Sequence, residues 1–324
     1  MESLTKRRLS PAELDGLAHR ALGSGVTRST ELTDGFANAV WLLTLDDGRD
    51  VVLKLSPPPE LEQLSYERNL LRMEAAACAL AAEAGVPVAS VLHAGFDDPV
   101  LGGDYLVLSV LDGTPWNQIV LGEAQHAAVR HELGAHLARL NSVTGDTFGY
   151  PHAGITGASW REAYLAMVGA LLADTERYPT ELPLPAGELL ARLTAVSGAL
   201  DEVTTPRLVH FDAWPGNVFL DLTGEPRIQA IIDHERAFWG DPLADLITPT
   251  LFVPLLEEDP LLVGYRSVTP VELSGDALVR LDLYRAYLYL ILLVENGPRQ
   301  YPEKDYAPIR DLTAACLTEV LDRL

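Results

Sequence analysis

Lysine is scarce in this chain: 21 of its 24 basic residues are arginine, and only Lys6, Lys54 and Lys304 are lysine. Basic charge is scarce altogether, because 46 acidic residues leave a formal net charge of −22 over 324 residues. Phosphate backbones are gripped by clustered Lys and Arg, so this balance argues against nucleic acid as a partner. It fits a cationic substrate, and it fits equally well with nothing more than solubility. Long apolar runs are missing too. The most apolar window, Ala286 to Val294, is nine residues, about half of what a membrane crossing needs. The basic N-terminus, Met1 to Arg8, gives way to Pro11-Ala12-Glu13-Leu14-Asp15 rather than to an apolar stretch. That predicts no secretory signal, no membrane partner and a cytoplasmic address. Cys78 and Cys316 stand far apart in apolar, helix-like contexts and read as buried free thiols. Metal signatures of the Cys/His type, a Gly-x-Ser-x-Gly elbow and a Walker A loop are all absent.

What is present is the profile of a folded protein, with 48% hydrophobic and 22% charged residues. Ser10 reads as an N-cap with Pro11 at the first helical position. Strand-like runs follow at 26–32, 38–45, 51–55, 88–94 and 105–111, and Asp46-Asp47-Gly48 marks a hairpin. Between the third and fourth runs the periodicity predicts a long helix over 61–84, stopped by Gly85-Val86-Pro87. After Asp112-Gly113-Thr114-Pro115 the pattern becomes helical, at 122–141, 158–176, 186–201, 242–256, 271–295 and 306–323. Only the block 208–233 interrupts it, as two strands split by Thr223-Gly224-Glu225-Pro226. The expected fold class is α+β and bilobal. Residues 1–111 form an antiparallel-sheet N-lobe with one long helix, and residues 112–324 a larger, mainly helical C-lobe.

The chemistry concentrates in that interrupting block. His210, Asp212 and Asn217 form a His-x-Asp-x4-Asn pattern between apolar strands, and Asp233 ends the next strand sixteen residues on. A carboxylate that takes a hydroxyl proton, an amide oxygen and a second carboxylate suit the catalytic loop of a Mg-nucleotide phosphotransferase. Asp212 is the candidate base, with Asn217 and Asp233 as ligands for Mg²⁺. His210 reads as a brace that bonds backbone across the loop, or else touches substrate directly. Trp214 either stacks on a ring of the acceptor or packs beneath the loop. Glu235 reaches substrate or a second metal, or else pairs with Arg236 or another arginine. Asp241 and Asp245 read as structural, Asp241 as an N-cap.

Lys54 is the second signal. Period-two alternation puts Val52 and Lys54 on one face of their strand, with Val51, Leu53 and Leu55 on the other. A lysine there must snorkel or meet an anion. Nucleotide phosphates would satisfy it, with Val52 packing on the base. Glu74 lies beside the apolar stripe of the following helix, nearer its centre than Glu67 or Glu83, and is the expected partner of Lys54. The turn from Thr33 to Asn38, with a single glycine, is either a plain hairpin turn or a phosphate-covering hairpin, in which Gly35 allows close backbone approach and Asn38 braces the turn.

Taken in order, these segments resemble the aminoglycoside phosphotransferase family: Val52-Leu53-Lys54, Glu74, His210 to Asn217, Ile232-Asp233 and Trp239 to Leu246. That family belongs to the kinase-like superfamily of small-molecule O-phosphotransferases. The resemblance spans about Gly35 to Asp245. It implies ATP or GTP as phosphoryl donor, Mg²⁺, a small-molecule hydroxyl acceptor, and a base-binding hinge at Ser109, Val110 and Leu111. Phe211 departs from it, standing where the family often has glycine. The leading acceptor is an antibiotic, phosphorylated as a resistance mechanism. The alternative is a metabolic sugar or amino-alcohol kinase, and a further one a non-catalytic nucleotide binder.

Overall fold

The computed structural model describes residues 3–32 and 38–324. Gly35 and the rest of the turn 33–37 lie outside them. The chain starts with helix α1 (Pro11–Leu22). Its first turn is held by a reciprocal cap in which the Glu13 amide donates to Ser10 Oγ and the Ser10 amide to the Glu13 carboxylate. Strands β1 (Val26–Leu32), β2 (Ala39–Leu45) and β3 (Asp50–Leu55) follow, then helix α2 (Leu70–Glu83) and strands β4 (Val91–Asp98) and β5 (Gly103–Ser109). These strands make one antiparallel sheet in the order β1-β2-β3-β5-β4. Val51, Leu53 and Leu55 point into a core shared with Leu14 and Leu17 of α1, which leaves the opposite face of β3 to the cleft.

Two small sheets and most of the helices make up the rest: β6 (Thr114–Pro115), α3 (Glu123–Leu140), β7 (Phe148–Tyr150), β8 (Ile155–Gly157), α4 (Trp160–Arg177), α5 (Ala186–Val196), β9 (Arg207–Val209), β10 (Val218–Asp221), β11 (Arg227–Ile231), β12 (Phe238–Gly240), α6 (Pro260–Arg266), α7 (Asp276–Val294), α8 (Asn296–Arg299) and α9 (Glu303–Arg323). Strand order is β11-β10-β6 in one sheet and β8-β7-β12-β9 in the other. The architecture is α+β, a sheet lobe joined to a larger, mainly helical lobe whose core runs through α4 and α7. Among the described residues no helix is long and apolar enough to cross a membrane.

Several expected boundaries move, each for a local reason. Helix α2 begins at Leu70, not 61, because Asn69 adopts a left-handed conformation (φ +58°) that no helix interior accommodates. The helix expected over 242–256 is instead two 3-10 turns, Pro242–Leu246 and Thr248–Thr250. Pro249 there has no N–H to donate and its ring clashes with the preceding turn. Strands β7, β8 and β12, three residues each, were not expected, and neither was α6.

Candidate active site

The loop between β9 and β10 is tied down from behind. The amides of His210 and Phe211 both donate to Asp245 Oδ1 (2.9 and 2.8 Å), and Asn141 Nδ2 donates to Asp245 Oδ2 (2.6 Å). Asp245 is fully buried, and burial pushes its carboxyl up to about 6 against those donors. His210 spans the loop: its Nε2 meets the Ile232 carbonyl at 3.1 Å and its Nδ1 receives the Asp212 amide at 3.1 Å. Holding both partners requires the neutral imidazole, and burial lowers its pKa to about 4. Phe211 adopts φ +58°. Its ring goes under the loop, 5.2 Å from Phe238 and 5.8 Å from Tyr287.

Thus held, Asp212 faces the cleft. Burial pushes its carboxyl up to about 7, although Arg236 draws it down from 3.6 Å. Arg236 also binds Glu295 at the end of α7 (2.6 Å). Glu295 pairs in turn with Arg299, and Arg299 with Glu67 (2.8 Å). Asn217 closes the loop: its Nδ2 donates to the Asp212 carbonyl (2.9 Å). The amide oxygen is therefore the atom it has left for a ligand.

Across the cleft, Lys54 on β3 gathers three carboxylates. Its Nζ lies 2.7 Å from Glu74 of α2, 2.5 Å from Asp233 and 2.9 Å from Glu235. Burial works against the Lys54 charge, yet Asp233, Glu235 and Glu74 outweigh it and hold the ammonium well above its usual range. Burial also opposes ionisation of Asp233, but Lys54 prevails and keeps that carboxyl low. Asp233 leaves β11 in a left-handed conformation (φ +67°), which turns the chain back toward the sheet. Asn38 donates to Glu235. Glu235 thus joins the Lys54 cluster rather than Arg236, and the carboxylate oxygens of Glu74, Asp233 and Glu235 lie within 4.8 Å of one another.

One cavity of about 1080 Å³ contains Lys54, Glu74, Asp212, Asn217, Asp233 and Glu235, together with Asn38 and Trp214. Its far end is apolar. Val52 lies between Leu42 and Leu108 in register, and Ser109, Val110 and Leu111 edge this floor. Trp214 covers Gly216, where any Cβ would collide with the indole.

The sequence profile of the phosphotransferase enzyme family matches residues 29–258. The chain belongs to that family. A probable ketoamine kinase of Synechocystis sp. is 29% identical over 182 residues, which are 53% of this chain and 56% of that protein, so the chain spans little more than half of this relative's length. Among solved structures, a candidate fructosamine-3-kinase from Thermobifida fusca YX-ER1 superposes with a TM-score of 0.63 at 21% identity, covering 94% of this chain and 98% of that one. A thermostable mutant of aminoglycoside phosphotransferase APH(4)-Ia, in ternary complex with AMP-PNP and hygromycin B, gives a TM-score of 0.60 at 17% identity, covering 96% and 98%. The fold is thus that of the kinase-like phosphotransferases.

As a phosphotransferase-family chain, it keeps some of its site beyond the matched span. Glu295 and Arg299 follow residue 258, and sequence reading passed over both. Arg236 was seen only as a possible partner for Glu235. Its position three residues after Asp233 was the available signal, since a short turn carries it back to Asp212.

Proposed function

We propose that this protein is a Mg²⁺-dependent O-phosphotransferase that moves the γ-phosphoryl group of ATP to a hydroxyl of a sugar-like small molecule. The observation that carries the reading is the meeting of Lys54 with Glu74 and Asp233, 2.7 and 2.5 Å away, in the cavity that also holds Asp212. Val52, Leu42 and Leu108 suit a nucleotide base, with Ser109, Val110 and Leu111 as its hinge. Lys54, positioned by Glu74, binds phosphate oxygens. Asn38 and Glu235 brace that end. The hard oxygens of Asn217 and Asp233 fit magnesium, which when bound supplies charge neutralisation at the phosphates. Asp212 orients the acceptor hydroxyl and takes its proton as the oxygen bonds to the γ-phosphorus. The bond from that phosphorus to the β,γ-bridging oxygen breaks, and ADP leaves. Arg236 holds Asp212 in place. Trp214 beside it offers a flat apolar face to a sugar ring. We set the lobe boundary at residues 111/112, and the demand for ATP supports a cytoplasmic address.

For the acceptor, a metabolic amino sugar of the ketoamine type is favoured, because the sequence relative of that description is the nearer in identity. The antibiotic reading is supported by the net charge of −22, which would attract a polycation. Among the described residues the cavity does not share that bias: five carboxylates and five cations line it. Labelled ATP with a panel of ketoamines, aminoglycosides, sugars and amino alcohols tests the reading. We expect label on a ketoamine; label on an antibiotic alone would select the second reading, and no labelled acceptor would reject both.

A further inference from the structure

Among the described residues the Asp212 carboxylate is paired with one cation, Arg236, and accepts no hydrogen bond. The 3.6 Å between them is too long for one. Nearby donors are spent elsewhere in the loop: Asn217 Nδ2 donates to the Asp212 carbonyl, and the Asp212 amide to His210. A guanidinium beside a partly buried carboxylate ordinarily closes on it through two parallel bonds of about 2.7–2.9 Å. Arg236 does not close, because its other terminal nitrogen is held at 2.6 Å by Glu295.

The hold continues outward. Glu295 Oε2 takes both Arg236 and Arg299, and Arg299 turns its other terminal nitrogen to Glu67 at 2.8 Å. Glu67, just ahead of α2, accepts the Leu64 amide through its second oxygen (3.0 Å). Its segment is docked on the helical lobe, since the Ser65 amide and hydroxyl both donate to Asp174 (2.7 Å each) and Asn69 Nδ2 to the His152 carbonyl (2.9 Å). Charges therefore alternate from Asp212 to a fixed anchor at Glu67, and Arg236, Glu295, Arg299 and Glu67 are all buried. The row is costly in two places. Glu295 ends α7, where the helix dipole disfavours a negative charge. Arg299 keeps both terminal nitrogens on carboxylates while its Nε is buried without a partner.

We infer that Glu295, Arg299 and Glu67 are positioning residues that act through Arg236: they hold its guanidinium back from Asp212, so that the base is oriented yet keeps its oxygens open for the acceptor hydroxyl. This rests on Asp212 serving as the base of the reaction proposed above, and adds what keeps its neighbour from closing on it. With Glu67 neutral, Arg299 has only Glu295 left, the shared oxygen moves toward Arg299, and Arg236 is released onto Asp212. With Glu295 neutral the release is direct. Without Arg299, the shared oxygen belongs to Arg236 alone and draws it away.

Crystal structures of full-chain variants read this tether without any substrate. In Glu295→Gln and Glu67→Gln the gap between Arg236 and Asp212 should contract from 3.6 Å to hydrogen-bond length, below about 3.2 Å. In Arg299→Gln it should stay or widen. An unchanged gap in either glutamate variant, or contraction in Arg299→Gln, would overturn the inference; should Glu295→Gln fail to fold, Glu67→Gln at the outer end decides alone. Kinetics add a second reading. Glu67→Gln should lower kcat by roughly tenfold, a part of what a general base supplies, with KM for ATP within about twofold. In an Arg236→Gln background the same substitution should change kcat by less than about twofold. Equal loss in both backgrounds would mean that Glu67 supports only the fold, and the tether would fall. A contracted gap in a protein that phosphorylates no acceptor would uphold the tether and reject the reaction, whereas an unchanged gap with normal phosphotransfer would do the reverse.

Discussion

A carboxyl that is to take a proton must first lose its own, and Asp212 sits where that loss is costly. Burial raises it to about 7, so below that pH the group is protonated and cannot accept. We expect kcat/KM to climb as pH rises through about 7 and then level; a flat profile between about 5.5 and 8.5 would remove Asp212 from the proton path. Asp212→Asn should lower kcat by roughly 10²–10⁴-fold with MgATP affinity nearly unchanged, as calorimetry would show. Lys54→Ala should instead raise KM for ATP more than that for the acceptor, and equal loss of both would point to misfolding. Lys54 was legible in the sequence because a lysine inside an apolar strand demands an explanation. Arg236 was not, because its second partner, Glu295, lies 59 residues further along, and no local pattern encodes such a meeting.

At the scale of elements, the loop that bears Asp212 depends on a turn rather than on a helix. Asp245 serves three donors from within Pro242–Leu246, and a regular helix through 242–256 would not have presented it in this way. Asp245→Ala leaves those donors buried and unpaired. It should cost roughly 3 kcal/mol or more, read by denaturant unfolding, and a loss under 1 kcal/mol would refute the brace. Helices α3 and α6 cross so closely that a Cβ on Gly134 would overlap the Leu261 carbonyl, and one on Gly264 the His131 carbonyl. Gly134→Ala should therefore destabilise by about 1–3 kcal/mol, and wild-type stability would show that the helices can part without penalty. Periodicity revealed the long strands and helices. It gave no sign of β7, β8 and β12, since three residues are too few to display a period and their pairing is decided by distant partners.

Over the whole molecule, 46 acidic residues against 24 basic ones produce self-repulsion that the cavity, balanced in charge among its described lining residues, does not share. Salt screens such repulsion over about 10 Å at 0.1 M. The melting temperature should rise between low salt and about 0.5 M sodium chloride, and a fall would mean that the ion pairs outweigh the excess charge. Composition foretold this surface but not the neutrality inside it, because only folding decides which arginines face the cleft. One further consequence follows from Phe211. An aromatic wedge in a left-handed bend, driven into the hydrophobic interior between Phe238 and Tyr287, gives the loop that bears Asp212 a foundation that cannot yield by itself. Repacking of that deep aromatic layer should therefore displace Asp212 without altering any residue that lines the cavity.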